Sequence, residues 1–147
     1  MSDTATATAA DQTVTSTPSP DRPAIGQPWP GQGGVYAGLA RGEDGQPDAH
    51  LILAPIVPPS RLAWQPALEW AKGIEHEGHA DFHVPTRTES ALLYANLRDQ
   101  LDQDSWHWTS TQYSDLSAFN QYFDYGYQLN YDEEFEARVR AVRRFAA

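Results

Sequence analysis

"PTRTESALLYANLRDQ", residues 85–100, is the stretch on which the fold turns. Thr86 followed three residues later by Glu89 has the spacing of a capping box, in which each side chain satisfies a free backbone N–H of the other. Leu93 and Leu97 continue an apolar stripe that Ala91 and Leu92 widen, so a helix starts just after Thr86. Upstream, a first helix is expected near Gln65, with Pro66 where a missing N–H costs nothing; Ala67, Trp70, Ala71 and Ile74 keep helical spacing, which predicts Trp70 facing the core. Further upstream, "GVYAGLA" (34–40) and "HLILA" (50–54) read as two short strands joined by the turn-rich "RGEDGQPDA". Downstream come the β-like pieces "WHWTS", "AFNQYF" and the period-two "FEARVRAVRRF". Strands, two helices and strands again predict an α+β fold in which early and late strands share one antiparallel sheet.

The 147 residues suit one domain. Residues 1–22 hold one large aliphatic side chain, Val14, and read as a tail, disordered or docked on a partner. Residues 23–33 are rich in Pro and Gly and read as a linker, leaving 34–147 as the folded domain. The start has neither the basic residues nor the apolar run of a signal peptide, and no stretch approaches the length of a membrane span. Twenty acidic against ten basic residues, net charge −10, argue against a nucleic-acid backbone or an anionic membrane as partner. Arg138, Arg140, Arg143 and Arg144 form a local basic cluster, but Ala137, Val139 and Ala141 alternate with it, which puts Arg138 and Arg140 on the solvent face of a strand. With no cysteine, thiol catalysis, disulfides and thiolate metal sites are all excluded.

Chemistry has few footholds. His76, His79 and His83 stand among Glu75, Glu77 and Asp81, but H-E-G-H is not the zinc-hydrolase pattern, and Gly78 interrupts any shared helical face. A polar interhelical loop explains the run better, and no metal or cofactor is expected. Ser105, Ser110 and Ser114 lack a nucleophile elbow, and His107 has no carboxylate at a useful spacing, so an enzyme is not expected. Asp132, Glu133, Glu134 and Glu136 read as a solvated charged run. Between Trp106 and Tyr131, by contrast, lie nine of the seventeen aromatic residues, interleaved with Asn, Gln, Asp and Ser rather than aliphatics. That is the mixture of binding surfaces, where rigid rings give contact area and amides adapt. Trp108, Tyr113, Phe119, Tyr122, Tyr125, Tyr127 and Tyr131 are the expected ligand-binding set. Strand alternation also requires that Phe123 and one or both of Trp106 and Trp108 be buried while Tyr122 is exposed.

Gly34, Tyr36, Ala37 and Gly38 in "GVYAG", the turn "GEDGQPD" before "HLIL", and Trp64, Ala67 and Trp70 in "WQPALEWA" occur in an order that resembles the Lcl C-terminal domain family, a bacterial and bacteriophage module of unknown function. Gly78, His79 and Asp81, then Pro85-Thr86-Arg87 with "ESALLYANL", "WHWTSTQ", Phe123 with Gly126, and "RVRAVRR" extend the likeness to Arg144. The sequence departs from the family at Phe82 and His83-Val84, which is expected to repack a buried corner. The resemblance implies a C-type-lectin-like fold: an antiparallel sheet where the chain ends meet, two flanking helices and a loop-rich ligand face. Gln46-Pro47-Asp48 matches the sugar-selecting tripeptide of calcium lectins, but it precedes both helices, so calcium-dependent sugar binding is not implied. Some proteins of this broad fold are diversified by phage retroelements at adenine-bearing codons, and the Tyr-, Asn- and Asp-rich window after Thr111 has that look.

The leading expectation is a non-enzymatic module, on a phage virion or bacterial cell surface, that recognises a host surface protein or glycan. The tail is expected to join a virion or fibre partner, and homo-oligomerisation, as a trimer, is a further expected association. Two alternatives are a structural decoration or adaptor protein of a phage particle and an acidic intracellular inhibitor of a host protein.

Overall fold

The carboxylate of Glu89 fastens the central helix to the sheet. The structure, a computed structural model, describes residues 22–147, so the expected tail lies outside the described residues apart from Arg22. Helix α2 (Arg87–Leu97) starts at the capping box the sequence announces: Thr86 accepts from the Glu89 N–H and Glu89 accepts from the Thr86 N–H at 2.9 Å. The same buried carboxylate also accepts from His83 Nε2 at 2.9 Å and from the guanidinium of Arg144. One side chain thereby ties the helix start to a neighbouring loop and to the last strand.

The chain is α+β, with two helices and two antiparallel sheets. The first sheet holds β1 (Pro28–Trp29), β2 (Gly34–Ala40), β3 (Ala49–Leu53) and β7 (Val142–Ala146), in that order. The hairpin of β2 and β3 pairs Val35 with Leu53 and Ala40 with Ala49, and β7 returns to lie beside β3, with Val142 opposite Leu53. Early and late strands therefore do share one sheet. Gly34 is required here, because a Cβ would come within 2.0 Å of the Leu53 carbonyl oxygen. The second sheet consists of β4 (Trp106–Ser114), β5 (Ser117–Tyr122) and β6 (Gln128–Asp132).

Helix α2 lays Leu93 and Leu97 against Ala37, Leu51, Leu53 and Val142 of the first sheet, and Phe123 closes that cluster from the end of β5. Helix α1 (Trp64–Lys72) contributes Trp64, Ala67 and Ala71 to a second cluster with Trp108, Ala118, Val84 and Val139. It starts one residue earlier than expected, and its deeply buried tryptophan is Trp64, whose Nε1 donates to the Thr109 carbonyl at 2.9 Å. Trp70, expected in the core, is half-buried at the margin of that cluster.

Further expectations change. Residues 23–33 are not a free linker: β1 pairs with β2, and Trp29 is buried edge-on against Tyr36 and Phe145 on the far face of the first sheet. Its indole supplies burial that the surrounding Pro and Gly conceal. In the closing segment the alternation of buried Ala137, Val139 and Ala141 holds, but the regular strand is only β7; Ala137 and Arg138 make isolated bridges to Leu62 and His107. Arg138 is exposed and paired with Asp102, whereas Arg140 turns inward and donates to the Ala54 carbonyl at 2.9 Å. No helix among the described residues is long and apolar enough to cross a membrane.

Candidate functional site

Antiparallel pairing of β4 with β5 sets Trp106 opposite Tyr122, and pairing of β5 with β6 sets Ala118 opposite Tyr131. Alternation along each strand then puts Trp106, Tyr122 and Tyr131 on one face. Their rings meet: Trp106 lies 5.0 Å from Tyr122 and 5.2 Å from Tyr131, centroid to centroid. The row continues at both ends. Tyr125 stacks on Tyr122 at 6.2 Å with Tyr127 beyond it at 5.7 Å, and Phe135 stacks on Tyr131 at 4.7 Å. Six rings thus form a continuous ribbon, at spacings where offset and edge contacts are favourable.

A tight turn holds the outer end of the ribbon. The Gly126 N–H donates to the Tyr122 carbonyl, and the Tyr122 N–H donates to the Tyr127 carbonyl, each at 2.8 Å. Gly126 has φ of 80°, and a Cβ there would come within 2.7 Å of the Tyr94 ring on α2. The turn is therefore pressed onto the helix, which leaves Tyr125 and Tyr127 67% and 58% exposed with their backbone fixed.

The expected binding residues divide into three groups. Tyr122, Tyr125, Tyr127 and Tyr131 belong to the ribbon. Tyr113 and Phe119 form a separate edge-on pair at 5.3 Å on the opposite face, where the Arg87 guanidinium covers Phe119 at 3.9 Å. Trp108 does not belong to the display surface: it is 1% exposed, and its Nε1 donates to the Leu62 carbonyl at 2.8 Å. Phe123 is buried as expected, Trp106 is half-buried, and Tyr122 is half-buried rather than exposed because its ring is flanked by Trp106 and Tyr125. Phe135, Leu116 and Leu129 are exposed apolar residues missed in the sequence, where they stand among acidic and amide neighbours that mask them. Six of the nine large exposed apolar side chains among the described residues lie between Tyr113 and Phe135. Five of these six, all but Tyr113 on the opposite face, lie on the ribbon side of the sheet or in its loops.

Carboxylates surround the ribbon. Tyr122 keeps its proton above the ordinary range, first through desolvation, then because Asp104, Asp124, Tyr125 and Asp102 lie near it. A pocket of about 90 Å³ between Trp106 and Phe135 is lined also by Asp104, Glu136 and Arg61. Asn120, on the ribbon face between Trp108 and Leu129, is fully buried with neither amide atom hydrogen-bonded among the described residues.

Elsewhere several charged groups are held in structural contacts. A concavity of about 490 Å³ is lined by Glu43, Asp48, His83, Glu89 and Arg144; Arg144 pairs with Glu43 and Glu89, His83 with Glu89, and Asp48 accepts from the Gly42 N–H. Glu89 is held well below the usual carboxylate range, at about 2: burial alone would raise it, and the hydrogen bonds from His83, Arg144 and the Thr86 N–H overcome that. His107 is a core histidine, lowered to about 4 chiefly by burial, with Nδ1 donating to the Ser105 carbonyl and its ring edge-on to Phe123. In the histidine-rich loop, His79 Nε2 donates to the Gly31 carbonyl and Glu77 accepts from the Gly33 N–H, and among the described residues no three metal-ligating side chains converge. No protein-family model and no curated protein sequence matches the chain.

Proposed function

We propose that the chain is a non-enzymatic recognition module of C-type-lectin-like fold, displayed on a phage virion or bacterial surface, that uses the aromatic ribbon to bind a host surface ligand. The observation that carries this reading is the gathering of exposed rings on the second sheet, with Tyr125 and Tyr127 outermost on a turn buttressed by α2. Tyrosine rings held this rigidly lose little conformational freedom on binding, and their phenol tips tolerate water when unbound. The lectin-like assignment draws support from the return of β7 to the early hairpin and from the placing of the ribbon on a second sheet away from that junction.

Full-length chain, fluorescently labelled at its N-terminus, is applied to a panel of bacterial cells and read by flow cytometry. Saturable binding to some cells is expected, reduced at least tenfold by Tyr125→Ala with Tyr127→Ala while the circular dichroism and melting temperature are kept. Binding unchanged by that pair, in a folded protein, overturns the reading.

A further inference from the structure

Carboxylates outnumber cations along the ribbon. From Gln112 to Ala137 the chain carries Asp115, Asp124, Asp132, Glu133, Glu134 and Glu136 and no lysine or arginine. Asp104 joins them in space, beside Tyr122 and in the wall of the pocket between Trp106 and Phe135. Of the nearest cations, Arg138 pairs with Asp102 at 2.9 Å, while Arg61, in the wall of that pocket, donates to Ser105 Oγ at 3.3 Å and keeps its charge. Arg87 belongs to the opposite face, over Phe119.

Aromatic faces carry a negative quadrupole, and a guanidinium or ammonium placed over them is attracted most where carboxylates add to the field. The same arrangement rejects anions and copies of itself, since a chain of net charge −10 would bring two acidic rims together. A neutral ligand would meet the carboxylates only as hydrogen-bond acceptors, without the charge attraction that a cation gains there.

We infer that the partner at the ribbon is a basic protein segment, whose arginine or lysine side chains lie over Tyr122, Tyr125 and Tyr127 and whose charge is met by Asp104, Asp124 and Glu136. This rests on the ribbon being the recognition surface and specifies the chemistry of what it recognises.

The test uses the full-length chain and a fluorescein-labelled peptide of six arginines separated by glycines, followed by anisotropy, with glutamate-for-arginine and serine-for-arginine versions as controls. Saturable binding of the arginine peptide alone is expected, at least tenfold weaker at 300 mM than at 50 mM NaCl. Tyr125→Ala with Tyr127→Ala should weaken it about tenfold. Asp104→Asn with Asp124→Asn should weaken it several-fold more than Asp44→Asn with Asp48→Asn, an equal charge change on the hairpin of the other sheet. Absence of arginine-peptide binding, equal binding of the serine peptide, or equal loss from the two aspartate pairs overturns the inference. If the arginine peptide fails while cell binding still depends on Tyr125 and Tyr127, the recognition surface stands and its partner is not basic; if both fail, the surface itself is wrong.

Discussion

Replacing Glu89 tests the connection between helix, loop and sheet. Its carboxylate is 1% exposed and accepts from the Thr86 N–H, His83 Nε2 and Arg144 Nε. Glu89→Ala deletes the reciprocal half of the capping box and leaves a largely buried guanidinium without its main counter-charge, a combined cost of about 4 kcal/mol at pH 7. That is a large part of the 5–15 kcal/mol typical of a domain. Glu89→Gln keeps an acceptor and removes the charge, so it isolates the ionic contribution. The fall from an ordinary 4.5 to about 2 in the folded state, at 1.36 kcal/mol per pH unit, is worth roughly 3 kcal/mol. The folded value is the lower one, so the contribution is complete above pH 4.5 and is lost as pH falls toward 2. The titration curve leaves less than half of it at pH 3. Urea unfolding followed by tryptophan fluorescence, for the natural protein and Glu89→Gln at pH 7, 4 and 3, should show the difference shrinking along that curve. A difference as large at pH 3 as at pH 7 would refute the reasoning, because the interaction would then not depend on the carboxylate's charge.

His107 should destabilise the protein in a higher pH window. Its folded value near 4 lies below the ordinary 6.5, so the unfolded chain binds the proton more readily and stability falls by roughly 3 kcal/mol between pH 6.5 and 4; its imidazole resonances should stay in the neutral position at pH 5.5, and His107→Gln should flatten this part of the stability profile. Gly126→Ala should cost about 2 kcal/mol, combining a positive φ with contact on the Tyr94 ring, and lower binding by shifting Tyr125 and Tyr127, both read by thermal melting and cell binding. Asn120→Leu should stabilise the fold by about 1 kcal/mol in urea unfolding, since it replaces a buried amide that has no hydrogen-bond partner with an apolar group of similar volume.

Local signals in the sequence located the elements, while contacts distant in sequence decided orientation. The box of Thr86 and Glu89 and the hairpin of β2 and β3 were legible because capping and period-two patterns act within a few residues. Trp106 and Trp108 share one strand face, so alternation could not tell which enters the core; the distant Leu62 carbonyl settles it by accepting the Trp108 N–H. Trp29 lay hidden in a Pro- and Gly-rich run because its partners Tyr36 and Phe145 come from β2 and β7. Arg140 looked solvent-facing because alternation records parity, and the Ala54 carbonyl that draws it inward is 86 residues away. Within the candidate site the abundance of rings was plain, but the division into a ribbon and a separate pair of Tyr113 and Phe119 follows from strand pairing. Phe135 joins the ribbon only by stacking on Tyr131.

The most direct test of the ribbon as the recognition surface is saturation mutagenesis of residues 104–136 with two readouts on one library, resistance to proteolysis for folding and capture on the cells that bind the natural chain. The account requires Trp108, Ala118 and Phe123 to be intolerant in both. It requires Tyr125, Tyr127 and Phe135 to tolerate polar replacement in the folding readout while losing capture. Polar replacements at those three exposed rings that leave both readouts intact would contradict it.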